Sequence, residues 1–293
     1  MNRAYSIITD RIIGLLEQGT IPWKKDWKGG IPMNINGHRY RGINVFTLLS
    51  AGYSSPYWLT FNQAKKMGGK IKQGEHGVPV VFWKLLERPT GETNEETGEP
   101  VVKRVPFLRY YIVFNLAQTE GIDLKYEASV LSDTSPIDMA ERIVNGILVP
   151  PVVRHEGSRA YYSPTVDEIV LPPVDSFYSM EGYYSTRFHE TVHWTGHKTR
   201  LNRPGVTELA MFGSEKYSQE ELVAEMGAAF LCGEAGISQR VIENQAAYIQ
   251  GWTRKFRDDK KMVVMAAAQA QKAADFVLTH NPEKSENLRG RIR

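Results

Sequence analysis

The chain has a single cysteine, Cys232, among its 293 residues. It can form no internal disulfide, and it lacks the thiolates from which a cysteine-based zinc cage is built. That scarcity fits a reducing compartment, so a cytoplasmic location is expected. No apolar run approaches the roughly 18 residues that a membrane-spanning helix needs, so no membrane role is expected. The opening segment, MNRAYSIITDRIIGLLEQG, lacks the charged, apolar and small-residue sections of a secretory signal. No internal repeat is present. What remains is a globular composition, 42% hydrophobic and 24% charged, with length for two ordinary domains, each with its own core.

Positive charge is scarce in one half only. From Met1 to Leu85 there are twelve lysines and arginines against four acids, a net of +8, whereas from Ser129 onward the counts are nineteen and twenty-one. The basic excess of the N-terminal part points to a polyanionic partner for that part.

Periodicity divides the chain in the same way. Apolar residues at helical spacing (Ile7, Ile8, Ile12, Leu15, Leu16) predict a helix over Ala4 to Gln18, stopped at Gly19. Strand-like runs follow at YWLTF, VPVVFWKLL and VVKRVPFLRYYIVFNLAQ, with a short helix and basic loop in NQAKKMGGKIKQGEHG. ERPTGETNEETGEP reads as an exposed hairpin loop. Beyond it, a helix is expected from Ile137 to Asn145, then paired strands in AYYSPTVDEIVLPP, then three or four helices. The expectation is an α+β chain: a mixed, sheet-centred domain over residues 1–130, then a mainly helical domain with a small sheet over 137–293.

The chemistry concentrates in FHETVHWTGH, from Phe188 to His197. On a helix, His189 and His193 share one face about a turn apart, as two ligands of one Zn²⁺ or another divalent metal require. Glu190 lies where it can act as general base on a water at that metal. A third histidine at the metzincin position is missing, since Thr199 stands there. His197 would be a third ligand from the same helix, and one straight helix rarely closes around a metal in that way. A second helix, EELVAEMGAAFLC, offers Glu221 and Glu225 on one face, with Ala224, Gly227 and Ala228 small enough for close approach. Glu221 is the expected ligand and Glu225 the carboxylate orienting an imidazole, with the reverse assignment also open.

A second set of residues suggests nucleic acid. Single-strand binders combine a cationic track with aromatic faces. Here Trp23, Lys24, Lys25, Trp27 and Lys28 interleave the two types, followed by Arg39, Tyr40, Arg41 and then Lys65, Lys66, Lys70 and Lys72. A structural reading competes at each aromatic, because Trp and Tyr in a sheet domain are about as often core.

Taken together, these motifs resemble the ArdC family of plasmid antirestriction proteins. The C-terminal half is similar to the family's gluzincin-type peptidase domain. IPWKKDW, NGHRYRGIN and YWLTFNQAKKMGGKIKQGEHG resemble its single-stranded-DNA-binding domain, which TraC-type plasmid primases share. The resemblance spans nearly the whole chain in the same order. It implies single-stranded DNA as partner and protection of incoming plasmid DNA from restriction in a recipient bacterium. It also implies a zinc-peptidase-like domain related to SprT-type proteases and leaves that domain's role in antirestriction open; a protein bound to the DNA is carried forward as its candidate substrate. SprT-type sites usually take a third histidine, so Glu221 and Glu225 are both carried forward. A non-catalytic DNA-coating protein, with the metal as a structural clip, is the competing class.

Overall fold

The structure is a computed structural model that describes residues 2–24, 30–93, 100–124, 134–208, 215–237 and 245–279. Its first helix, α1 (Arg3–Glu17), buries Ile8, Ile12 and Leu16 along one stripe. The Asn2 side chain caps it by accepting from the Ala4 N–H, and Gly19 ends it at φ 79°, a left-handed conformation that costs glycine nothing.

The sheet-centred half then runs β1 (Met33–Asn34), α2 (Ile43–Leu49), β2 (Tyr57–Leu59), α3 (Phe61–Lys66), β3 (Lys70–Ile71), β4 (Val78–Thr93), β5 (Pro100–Asn115) and β6 (Thr119–Glu120). Its main sheet has the order β1-β2-β5-β4, with β1 and β2 parallel and the other pairs antiparallel. β3 and β6 form a separate two-stranded ribbon. The long β4–β5 hairpin corrects one expectation. The strands run on through most of ERPTGETNEETGEP, with Glu87 registered opposite Arg104, and only residues 94–99 lie outside the described residues. β-branched residues such as Thr90 and Thr93 favour an extended backbone through this polar stretch.

The second half has α4 (Pro136–Asn145), β7 (Val152–His155), β8 (Tyr161–Ser163), β9 (Glu168–Leu171), α5 (Met180–Thr195), α6 (Pro204–Thr207), α7 (Glu215–Ala235), α8 (Gln245–Asp258) and α9 (Met262–Thr279). The small sheet has the order β7-β9-β8, which leaves β8 on its edge. The alanines of α9 (Ala266, Ala267, Ala270, Ala273, Ala274) are fully buried, and α5 and α7 pack on that helix. The class is therefore α+β, as the sequence implied.

The two halves share one core, which corrects the expectation of separate ones. Ile8, Ile12, Trp23 and Phe46 belong to the same buried cluster as Phe256, Val263 and Ala267. Across the same boundary Thr9 Oγ1 donates to the Lys260 carbonyl at 2.6 Å, and Lys260 pairs with Asp10 at 2.6 Å. An apolar stripe such as that of α1 specifies that a face is buried, not what covers it, and here α8 and α9 share that face with the hairpin. A smaller cluster of Tyr40, Leu48, Trp58, Val78, Val80 and Val113 lies within the first half. Among the described residues no helix is long and apolar enough to cross a membrane.

Candidate metal centre

α5 begins at Ser179, whose side chain accepts from the Gly182 N–H at 3.1 Å, and carries His189 and His193 on one face. Their Nε2 atoms stand 3.2 Å apart. α7 lies alongside because its facing residues are small. A Cβ on Gly227 would come within 2.7 Å of Val192 on α5, a close approach that only glycine permits. That contact sets Glu221 opposite the histidines, with its carboxylate oxygens 3.6 Å from His189 Nε2 and 3.6 Å from His193 Nε2. Among the described residues, His189, His193 and Glu221 form the cluster that could hold a metal ion.

The carboxylate behind His193 is Glu220. It lies 3.2 Å from His193 Nδ1 and accepts from the buried Arg203, whose Nη2 is 2.6 Å away. Arg203 also donates to Thr195 Oγ1 at 2.8 Å and to the Val192 carbonyl at 2.6 Å, so one guanidinium ties α5 to α7. Burial alone would raise the Glu220 pKa, but the hydrogen bonds and charges of His193 and Arg203 outweigh it and hold Glu220 below the usual carboxylate range. Burial likewise opposes the charge on His193, and the hydrogen bond and charge of Glu220 reverse that, raising its pKa.

Glu225 stands elsewhere, contrary to either role expected for it. It accepts from the Trp23 indole N–H at 3.0 Å and from the Tyr248 hydroxyl. Four residues of helix advance about 6 Å along the axis, which carries Glu225 past the histidines, whereas Glu220 is turned only about 100° from Glu221 at nearly the same height. Tyr217, one turn before Glu221, was not anticipated. Its hydroxyl bonds Glu221, and burial first, then the negative charge of Glu221, push its pKa up to about 12. The signal for it in the sequence was the i, i+4 pair of Tyr217 and Glu221.

These groups open onto a cavity of about 820 Å³, walled on one side by Tyr161, Tyr162 and Pro164 of the β8 hairpin and on the other by Tyr217 and Val206. The hairpin is clamped over α5 by Arg200. Its guanidinium bonds Asp167 at 2.9 Å, donates to the Trp194 carbonyl at 2.7 Å and lies 4.1 Å from the centroid of the Trp194 ring. Glu190 is buried in the cavity wall, where desolvation raises its pKa despite the two histidines beside it. His197 has left the helix and bonds Thr199 Oγ1 through Nδ1 at 2.8 Å.

The donor set fits a divalent cation. Two nitrogens each bound tetrahedrally at 2.0–2.1 Å stand about 3.3 Å apart, close to the spacing found here. With Glu220 engaging Nδ1 of His193, the Nε2 lone pair is left facing His189 and Glu221.

Two family profiles match the chain, one described as the N-terminal domain of the anti-restriction factor ArdC over residues 2–114, the other as a zincin-like metallopeptidase over residues 138–269. The crystal structure of the metal-free antirestriction ArdC protein from plasmid R388 is 40% identical, with a TM-score of 0.74, over 95% of this chain and 98% of that one. The chain belongs to the ArdC antirestriction family. The Mn(II)-bound structure of the same R388 protein matches at 38% identity and a TM-score of 0.73, over the same shares of the two chains. With the His₂Glu donor set, this points to a divalent metal for the ArdC-family chain. DNA primase TraC of Escherichia coli is 37% identical over 92% of the chain, although the chain spans 26% of that primase's length.

The residues expected to contact DNA are dispersed. Trp23 is 1% exposed, packed edge-on against Phe46 and Phe256, so its ring lies in the shared core and not at the surface. Tyr40 is also buried, and that burial pushes its pKa up to about 12. Arg39 pairs with Glu234 at 2.7 Å and Arg41 with Asp275, so both hold the first half against α7 and α9. Lys70 pairs with Glu120 at 3.0 Å, and Lys72 donates to the Ala117 carbonyl at 2.8 Å. Lys65 and Lys66 are exposed in the last turn of α3, and Lys24 is half-buried. Lys25, Trp27 and Lys28 lie outside the described residues.

Proposed function

We propose that this ArdC-family chain binds incoming plasmid DNA as a single strand through residues 1–130, and that residues 137–293 form a zinc-dependent peptidase unit acting on proteins bound to that DNA in the recipient's cytoplasm. The observation that carries the reading is the three-ligand cluster of His189, His193 and Glu221, with Glu190 beside it, at the floor of an open cavity. Three protein ligands leave a position for reactants, as catalytic zinc sites do. A structural clip needs a closed set of four, and His197, the fourth ligand the sequence offers for one, is bonded to Thr199. The N-terminal profile match and the likeness to TraC support the DNA-binding half of the proposal.

When bound, the cation would polarise a peptide carbonyl and lower the pKa of water. Glu190 is the general base. Its burial favours the protonated form, so the proton it accepts can be held on the carboxylate and passed to the departing amine. Glu220 holds the proton of His193 at Nδ1 and so keeps Nε2 as a ligand. Tyr217 stays protonated at neutral pH and orients Glu221 through its hydroxyl. Tyr161 and Tyr162 of the β8 edge strand wall the cavity on that side.

Glu190→Gln tests this reading. The variant keeps the shape, so its metal content should match the wild type while hydrolysis of a DNA-bound protein stops. Antirestriction that survives the change would assign that activity to the DNA-binding half, and wild-type protein that cleaves nothing in the presence of zinc and single-stranded DNA would refute the peptidase reading.

A further inference from the structure

We propose that the single-strand track is the outer face of the β4–β5 hairpin, built on Phe82, Lys84, Phe107, Arg109 and Tyr111. The antiparallel register sets Val80 opposite Tyr111, Phe82 opposite Arg109 and Lys84 opposite Phe107, without a break. Residues directly opposite share a face, and so do residues two apart along a strand. One face therefore carries three aromatics and two cations in alternation. Phe82, Phe107 and Tyr111 are 44%, 38% and 45% exposed, and Lys84 and Arg109 are exposed beside them. Lys103 continues the face, opposite Arg88 in register, and is exposed too.

The base of this same face is closed. Val78, Val80 and Val113 pack with Tyr40, Leu48 and Trp58, and Tyr40 lies 6.1 Å from Phe82, centroid to centroid. The exposed aromatics thus begin where that core ends and are held in place by it, with Phe82 and Tyr111 5.8 Å apart. The other face is covered at Val81 and Leu108, which turn into the shared core, and its exposed side chains, Ile112 and the Trp83 ring that packs on Tyr5, carry no cation between them.

Chemistry selects the occupant. From Val78 to Arg88 and from Lys103 to Val113, no position on this face is acidic. Among the described residues neither Lys84 nor Arg109 has an ion-pair partner, in contrast to Arg39, Arg41 and Lys70. Unpaired cations between flat rings suit phosphates flanking bases turned outward, and every base has a face to stack. A duplex hides those faces, and an apolar protein partner would leave the cations desolvated and unpaired. Successive side chains on one face stand about 6.7 Å apart, a stride that an unstacked strand can follow.

The proposal rests on the single-strand reading above, and the test separates the two. The full-length protein is titrated with a fluorescent oligothymidylate of about 16 nucleotides, within the footprint such surfaces take. Phe82→Ala with Tyr111→Ala should weaken binding by at least about fivefold and up to about 150-fold for each stacked base given up, with the salt slope unchanged. Lys84→Ala with Arg109→Ala should flatten the log-affinity against log-salt slope by about 1.4, roughly 0.7 for each phosphate no longer neutralised. Phe107→Ala, at an exposed position, repeats the first test where folding is not at stake. Metal content should stay at the wild-type value in all of them, and so should the melting temperature of Phe107→Ala and of Lys84→Ala with Arg109→Ala. If wild-type protein binds the oligonucleotide and these variants bind it equally well, the track is elsewhere and the DNA reading stands. Loss of binding in Lys65→Ala with Lys66→Ala alone would move it to α3. Wild-type protein that does not bind would overturn both.

Discussion

Replacing Glu220 by alanine should damage the protein twice, in stability and in metal affinity. Its carboxylate is the counter-charge of Arg203, and the two side chains are 7% and 4% exposed. Removing one partner of a buried ion pair costs about 3–5 kcal/mol, because the other charge is left desolvated. Arg203 would keep its bonds to Thr195 and Val192, which are neutral acceptors and cannot replace the charge. Against a total stability of about 5–15 kcal/mol this is roughly a fifth of the fold or more. The second loss is the hold on His193 Nδ1, and removing such an orienting partner lowers metal affinity about 10- to 100-fold. The two effects separate experimentally. Urea unfolding of chelator-treated protein reads the first, and competition with a metal-sensitive dye on folded protein reads the second. Glu220→Gln, which keeps the shape and an acceptor, should fall between alanine and wild type in both. A double variant, Arg203→Met with Glu220→Leu, should be less destabilised than the sum of the single changes, since it removes both charges together. Glu220→Ala with a cost below about 1 kcal/mol and wild-type metal affinity would refute the claim that this network positions His193.

Two other perturbations probe the frame of the site. Gly227→Ala gains about 1 kcal/mol of helix propensity, but its methyl group meets Val192 at 2.7 Å, and overpacking costs about 1–3 kcal/mol; a net loss of stability with weaker metal binding is expected, relieved in part by Val192→Ala, and calorimetry with metal titration checks it. The Asp167 carboxyl is raised by burial and lowered more by its bonds to Arg200 and Tyr162, so its folded pKa lies below the unfolded value of about 3.9. Its contribution is therefore complete above that value and lost as pH falls through the folded pKa; the stability gap between wild type and Asp167→Asn, about 1 kcal/mol or less for a pair this exposed, should be constant near neutrality and close in acid.

How much of this was legible depends on the range of the interaction. His189, Glu190 and His193 were readable because helical periodicity alone fixes their common face. Small residues at Ala224, Gly227 and Ala228 marked a close helix contact, which left Glu221 and Glu225 both open as the ligand. That Glu220, and not Glu225, stands behind His193 was not readable, because it depends on where α7 stands along α5, a tertiary quantity. Trp23 shows the same limit. An indole between Pro22 and Lys24 has one local sequence whether its ring points to solvent or, as here, to Glu225 and Phe256. The exposed hairpin face was written in the period-two alternation of Phe82 with Lys84 and of Phe107, Arg109 and Tyr111. Which side of a strand meets solvent, however, is set by what packs on the other side.

The central claim is that two helices hold one divalent cation through His189, His193 and Glu221. Metal content of purified protein, measured by elemental analysis after exposure to zinc, tests it most directly. The account predicts one metal per chain in the wild type, none in His189→Ala with His193→Ala, and a marked loss in Glu221→Ala but not in Glu225→Ala. Full occupancy in the double-histidine variant would contradict it.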